Sequence, residues 1–288
     1  MTELFEKIIE TKEQTKEQTK EQNLASKILG ELSLEEDYKN VLVLVLKPNY
    51  SFDFSSLEMF SIKGIDYVLS ACSVFQTKVV DFDIKDDIIE TIKQNLNEKK
   101  YVLVLFSDTP LLTKKTVLEI VDYFLIKKLC SLKFNRGFMF ETNYLKSVEK
   151  IYNPLEQNFF EEDFLKVFDS QSFSSCLNVL KRRIISYHQS NGVLFEDEAS
   201  AFIDAMVNIE KGVTIGENVK ILGKSVIKQN CKLCCCTLDK VILENNVKVE
   251  NSVIKNSVIL ENSTISDYSV IKNQTVQQRS DISNEKII

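Results

Sequence analysis

IDAMVNIEKGVTIGENVKILGKSVIKQNCKL, residues 203–233, places an aliphatic residue at every sixth position: Ile203, Ile209, Ile215, Ile221, Ile227 and Leu233. Two positions before the last five stand Val207, Val213, Val219, Ser225 and Cys231, all small or of medium size. Chance alternation does not hold one phase through successive hexads, so the period defines a structural repeat whose aliphatic members share one core. After Leu233 the register slips and resumes at Ile242, Val249, Ile254, Ile259, Ile265 and Ile271, with Asn-Ser-x-Ile written at 251, 256 and 262.

Hexads of this kind resemble the left-handed parallel β-helix, in which three short strands make each triangular turn. Twelve inward positions at three per turn predict about four turns, ending near residue 276. Upstream the grammar differs. VLVLVL (41–46) and YVLVLF (101–106) are continuous apolar runs of strand length, the pattern of strands buried on both faces of a parallel sheet. Between them Ile88, Ile89, Ile92 and Leu96 recur at helical spacing over 86–96. A second helix is predicted over 113–128, with Val117, Ile120, Val121 and Phe124 on one side. A third, within 161–189, has Leu177, Leu180, Ile184 and Tyr187 as its apolar face and stops at Asn191-Gly192. Residues 11–22 read TKEQ three times over, a polar low-complexity tract expected to be a solvated helix or a disordered lead-in. The predicted organisation is a lead-in at 1–37, a Rossmann-like α/β domain at 38–190, a β-helix at 191–278 and a tail at 279–288.

Composition narrows the function. The 288 residues carry a net charge of -6 and four arginines, which leaves no basic footprint for a nucleic-acid backbone. No run approaches the ~18 apolar residues of a membrane span, and the start lacks a signal-peptide pattern, so a cytoplasmic protein is expected. Seven cysteines, an odd number with four crowded at Cys231, Cys234, Cys235 and Cys236, read as reduced thiols.

Several segments resemble the bifunctional bacterial family of N-acetylglucosamine-1-phosphate uridylyltransferases and glucosamine-1-phosphate acetyltransferases. YVLVLFSDTPLL (101–112) is similar to that family's strand and Gly-Asp-x-Pro-Leu-Leu loop, with Ser107 in place of the glycine. MFSIKGIDYVLSAC (59–72), GFMFETNY (137–144) and the bridge from Leu177 to Ile203 follow in the family's order. The resemblance implies a nucleotidyltransferase-type α/β domain ahead of the coil, Mg2+ held by Asp108 if the chain is active, and a nucleotide or sugar-phosphate ligand. It also implies a homotrimer through the β-helix.

Phosphoryl transfer of this type rests on charge neutralisation and positioning, so departures from the family count. Where the family has a glycine-rich loop with an arginine, this chain reads Lys47-Pro48-Asn49-Tyr50-Ser51. The family's Pro-Lys pair falls at Ser56 and Leu57, and its second magnesium ligand at Ser172 or Phe173. Two readings follow: a diverged, inactive sugar-1-phosphate nucleotidylyltransferase-like pseudoenzyme that keeps weak ligand binding, or an active UDP-N-acetylglucosamine pyrophosphorylase. Lys47 and Lys63 are the candidate nucleotide-binding residues. Asp108 is either a metal ligand or the N-cap of the following helix. Cys231 and Cys234 form half of a zinc-type spacing, or else fill the coil as thiols. His188 is expected on the solvated last turn of its helix.

Overall fold

The computed structural model describes residues 37–50, 52, 54–150 and 154–287, so the TKEQ tract lies outside the described residues. The chain divides into two compact units, and the division does not fall at residue 190. Residues 37–49 and Val68–Phe164 form one unit; Tyr50–Tyr67 and residues 165–287 form the other.

In chain order the elements before the coil are β1 (Val41–Pro48), β2 (Glu58–Met59), β3 (Ile62–Lys63), α1 (Gly64–Ala71), β4 (Gln76–Phe82) and α2 (Ile88–Gln94). There follow β5 (Tyr101–Phe106), α3 (Lys114–Ile126), β6 (Ser131–Phe134), β7 (Gly137–Glu141), α4 (Thr142–Ser147), β8 (Leu155–Glu156) and α5 (Ser170–Ser190).

The first unit is a six-stranded sheet of order β4-β1-β5-β7-β6-β8. β1 is parallel to both β4 and β5, and the hairpin β6–β7 adds an antiparallel edge to β5. Successive side chains of a strand point to opposite faces, so the unbroken apolar run of β1 requires cover on both. Val41, Val43 and Val45 pack with Val117, Ile120, Val121 and Phe124 of α3, while Leu42, Leu44 and Leu46 pack with Ile92 of α2 and Leu145 of α4. Each such side chain, fully buried, contributes ~1.5–3 kcal/mol. Asp87 caps α2 by accepting from the N–H groups of Ile89 and Glu90.

The second unit begins with the ribbon β2–β3. Its two-residue turn holds Phe60 and Ser61 at φ 48° and 62°, the sign that a type I′ hairpin turn requires at both central positions. The ribbon is fixed by the Phe60 ring stacked 5.0 Å from that of Phe202, and by Ser61 Oγ donating to Asp204 Oδ2 at 2.6 Å. The N–H of Gly223 donates to the same oxygen at 2.7 Å. α5 starts with a capping box formed by Asp169 and Ser172. It buries Cys176, Leu180, Ile185 and His188, a stripe rotated from the expected one, and Tyr187 is 65% exposed.

The coil is a parallel β-helix of three sheets with six, five and six strands, stacked from Leu194 to Ile287. It makes five complete turns and two strands of a sixth, more than the four expected, and residues 281–283 and 286–287 belong to it rather than to a tail. Strand partners lie 18 residues apart from Ile215 to Leu233 but 16 apart from Leu233 to Val249. The register slip is therefore a shortening of the turn. One consequence corrects the sequence reading: Leu243 is the core residue, 0% exposed, and Ile242 faces outward at 38%.

The motif Asn-Ser-x-Ile is a corner. Asn251, Asn256 and Asn262 take φ between 46° and 60°, a left-handed conformation that asparagine tolerates better than other non-glycine residues. The buried serine next to each satisfies backbone groups inside the bend. Ser252 and Ser257 donate to the carbonyls of Glu250 and Lys255, each at 2.7 Å. The third residue is outside, and the isoleucine enters the core. Asn218, Asn230, Asn246, Asn273 and Asn284 turn other corners in the same way.

Candidate functional site

β1 and β5 are adjacent parallel strands, and their carboxyl ends, where open α/β sheets bind ligands, carry Lys47 and Asp108. The two halves of this edge are closed by different interactions. β1 runs on through Lys47 and Pro48 in register with Asp81 and Phe82 of β4, and the N–H of Asn49 donates to the Phe82 carbonyl at 3.1 Å. Asn49 Oδ1 accepts from the N–H of Ile84 at 3.2 Å. The segment that would cradle a triphosphate is thus extended strand, without the converging N–H groups of a glycine-rich loop.

On the β5 side, Ser107 donates its N–H to the Leu46 carbonyl at 2.9 Å, and Thr109 Oγ1 donates to the Phe106 carbonyl at 2.9 Å. Asp108 is 2% exposed. Arg136 grips it with both ends of the guanidinium, Nε to Oδ1 at 2.8 Å and Nη2 to Oδ2 at 2.6 Å. The guanidinium carbon also lies 4.2 Å from the centre of the Phe106 ring. Arg136 stands in the tight β6–β7 turn, and Gly137 after it has no room for a Cβ, which would lie 2.5 Å from the Val104 carbonyl oxygen. The turn is therefore pressed against β5, which delivers the arginine to the aspartate.

Asp108 is not the cap of α3. Thr113 is, accepting from the N–H of Thr116, and the buried Asp163 accepts from the hydroxyls of both threonines. A Mg2+ ion at Asp108 would meet a carboxylate whose two oxygens face a fixed cation, with no second acidic ligand contributed by Ser172 or Phe173. Ser172 completes the capping box of α5, and Phe173 packs 6.2 Å from the rings of Phe52 and Phe54. These residues do not fit the ion. Lys63 is exposed on the ribbon β2–β3, in register with Glu58, and belongs to the other unit.

The cysteines separate in pairs. Cys231 and Cys236 occupy the small corner position that serine fills elsewhere, and burial pushes their thiols up to about 11 and about 12. Cys231 Sγ donates to the Glu244 carbonyl at 3.1 Å, so the Cys231–Cys234 half-site does not form. Cys234 lies instead beside Cys235, with the sulfurs 3.7 Å apart. Its thiol is raised by burial first, then by the hydrogen bond to Cys235 and by the negative charges around it.

His188 is 3% exposed rather than solvated, and its Nδ1 has no hydrogen-bond partner among the described residues. Burial lowers its pKa below the ordinary 6.5. Below that pH the unfolded chain takes up a proton that the folded chain refuses, so the stability this ring contributes at neutral pH is lost as the pH falls. Urea midpoints should drop more between about pH 7.5 and about pH 5.5 for the wild type than for His188→Leu. Equal drops would remove His188 from the acid response.

The chain thus joins a mixed-sheet α/β unit, with Lys47 and Asp108 at the ends of adjacent parallel strands, to a β-helix of hexapeptide repeats. The chain is similar to bifunctional GlmU proteins. It is 34% identical to that of Lactobacillus johnsonii over 93 residues, 32% of this chain and 20% of the relative. It is 27% identical to that of Thermodesulfovibrio yellowstonii over 191 residues, 62% of this chain and 38% of the relative. The chain thus spans between a fifth and two fifths of the length of these relatives. Among solved structures, a cytidylyltransferase from Leptospira borgpetersenii matches 52% of this chain and 87% of its own, at 14% identity and a TM-score of 0.41. Rv0371C of Mycobacterium tuberculosis, in complex with manganese, matches 48% and 98% at 10% identity and a TM-score of 0.38. No family model matches the chain. No helix among the described residues is long and apolar enough to cross a membrane.

Proposed function

We propose that this chain is a diverged nucleotidyltransferase-like pseudoenzyme, without uridylyl transfer, whose α/β unit retains at most weak, metal-independent binding of a nucleotide or sugar phosphate. The observation that carries this reading is the bidentate grip of Arg136 on Asp108. In a reaction that depends on cations gathered around a triphosphate, the acidic group at the end of β5 is already neutralised from within the protein. The extended Lys47–Asn49 segment supports the same reading, because Pro48 offers no N–H and its neighbours are engaged with β4. The β-helix then supplies the second part of the role, assembly, and the proposed assembly is a homotrimer through its flat faces. Light scattering should give three chains per particle; a monomer at all concentrations would sink that part.

The test of the first part is a calorimetric titration of the purified chain with UTP and with UDP-N-acetylglucosamine, with and without Mg2+. Binding that Mg2+ does not strengthen, and no pyrophosphate released from UTP and N-acetylglucosamine 1-phosphate, is the expected result. Mg2+-dependent UTP binding followed by turnover would replace this reading with an active UDP-N-acetylglucosamine pyrophosphorylase holding the metal at Asp108.

A further inference from the structure

Cys234 and Cys235 are neighbours in sequence, and neighbours on a strand ordinarily point to opposite faces. Here they do not. The strand Lys232–Cys234 ends at a corner, and Cys235 takes the left-handed turn there at φ 48°, in a place where most of the coil's corners have asparagine. The turn brings the two sulfurs to 3.7 Å on the outside of the coil. The preceding turn contributes Glu217, tied to the pair by the Cys235 N–H donating to the Glu217 carbonyl at 2.8 Å. Its carboxylate and the two sulfurs all lie within 4.8 Å of one another. Gly216 stands beside them, and a Cβ there would come 3.3 Å from Cys234 Sγ, so its lack of a side chain leaves the thiol room.

We infer that Glu217, Cys234 and Cys235 form a binding site for a thiophilic divalent cation, with Zn2+ as the fitting ion. Two thiolates bound to one tetrahedral zinc at ~2.3 Å must stand about 3.8 Å apart, and these two sulfurs already have nearly that spacing. The two thiolates balance the ion's charge, the carboxylate adds a third anionic ligand, and the fourth position is left to water, the ligand pattern of an open zinc site. Since the ligands come from successive turns, the ion ties one rung of the coil to the next. Binding releases the two thiol protons to solvent and changes no oxidation state.

Co2+ is the probe, added to the full chain kept reduced. The expected result is one ion per chain with the strong visible bands of tetrahedral cobalt and a thiolate charge-transfer band, both lost on adding Zn2+. Cys235→Asn removes a ligand yet supplies the residue that most corners of this coil use, so it should fold; Glu217→Gln changes only an exposed side chain. Each should weaken binding at least about tenfold, since even the outer partners of a metal site count on that scale. Cys130→Ser, at an exposed thiol in the other unit, should bind like the wild type. The site is overturned if the reduced chain yields no tetrahedral bands, or if Cys235→Asn titrates like the wild type.

Discussion

Arg136→Leu is expected to lower the stability of the α/β unit by about 3 kcal/mol, because it strands a buried carboxylate without its cation. Asp108 is 3% exposed at its side chain, and Arg136 is 23% exposed. Some water can enter where the guanidinium was, which places the loss at the lower end of the range for broken buried pairs. The double variant Asp108→Leu/Arg136→Leu should recover much of the loss, since removing both charges removes the penalty along with the attraction. Denaturant midpoints for the wild type, both single variants and the double variant measure the coupling directly. Additive losses would mean that the two groups do not act as a pair, and the proposal of an internally neutralised site would go with them.

The second large effect separates two adjacent residues. Leu243→Ala removes a fully buried side chain from the coil and should cost about 2–5 kcal/mol through lost burial and the cavity left behind. Ile242→Ala, at a side chain 38% exposed on the outer surface, should cost less than about 1 kcal/mol. The contrast is a direct measure of register, because a one-residue slip would exchange the two outcomes. Thermal or urea melts of the two variants suffice, and a reversed ranking would restore the phase that the hexads first suggested.

That phase illustrates how far the sequence could be read. The coil was legible because one aliphatic per hexad repeats through many copies, and a single irregular position cannot mask the period. It became ambiguous only where the turn shortens and two aliphatics stand side by side, as at Ile242 and Leu243. Residues 281–287 are hard to read as coil because Ile282 lies among polar neighbours, Asp281, Ser283, Asn284, Glu285 and Lys286. The α5 stripe was misplaced because two of its buried members, Cys176 and His188, are not residues that an apolar pattern counts. The candidate site was less legible. Asp108 stood out by resemblance, but its partner lies 28 residues away in a turn that nothing in the local pattern links to β5. The sequence signal for it is Asn135-Arg136-Gly137 between two apolar runs: a tight turn with a glycine after a lone arginine. Lys47 and Lys63 were linked only by composition, and they fall in different units.

The stacking of the coil also bears on how it reaches its structure. Each strand finds its partner 16 to 20 residues along the chain, whether near Ile215 or near Ile265. In the sheet of the first unit, by contrast, Val41 pairs with Tyr101 across the whole of β4 and α2. Closing that longer loop costs more chain entropy before any pairing repays it. The coil's loop-closure cost is similar at every rung and does not grow with the number of rungs, so its folding can start at any turn and spread to its neighbours in small steps.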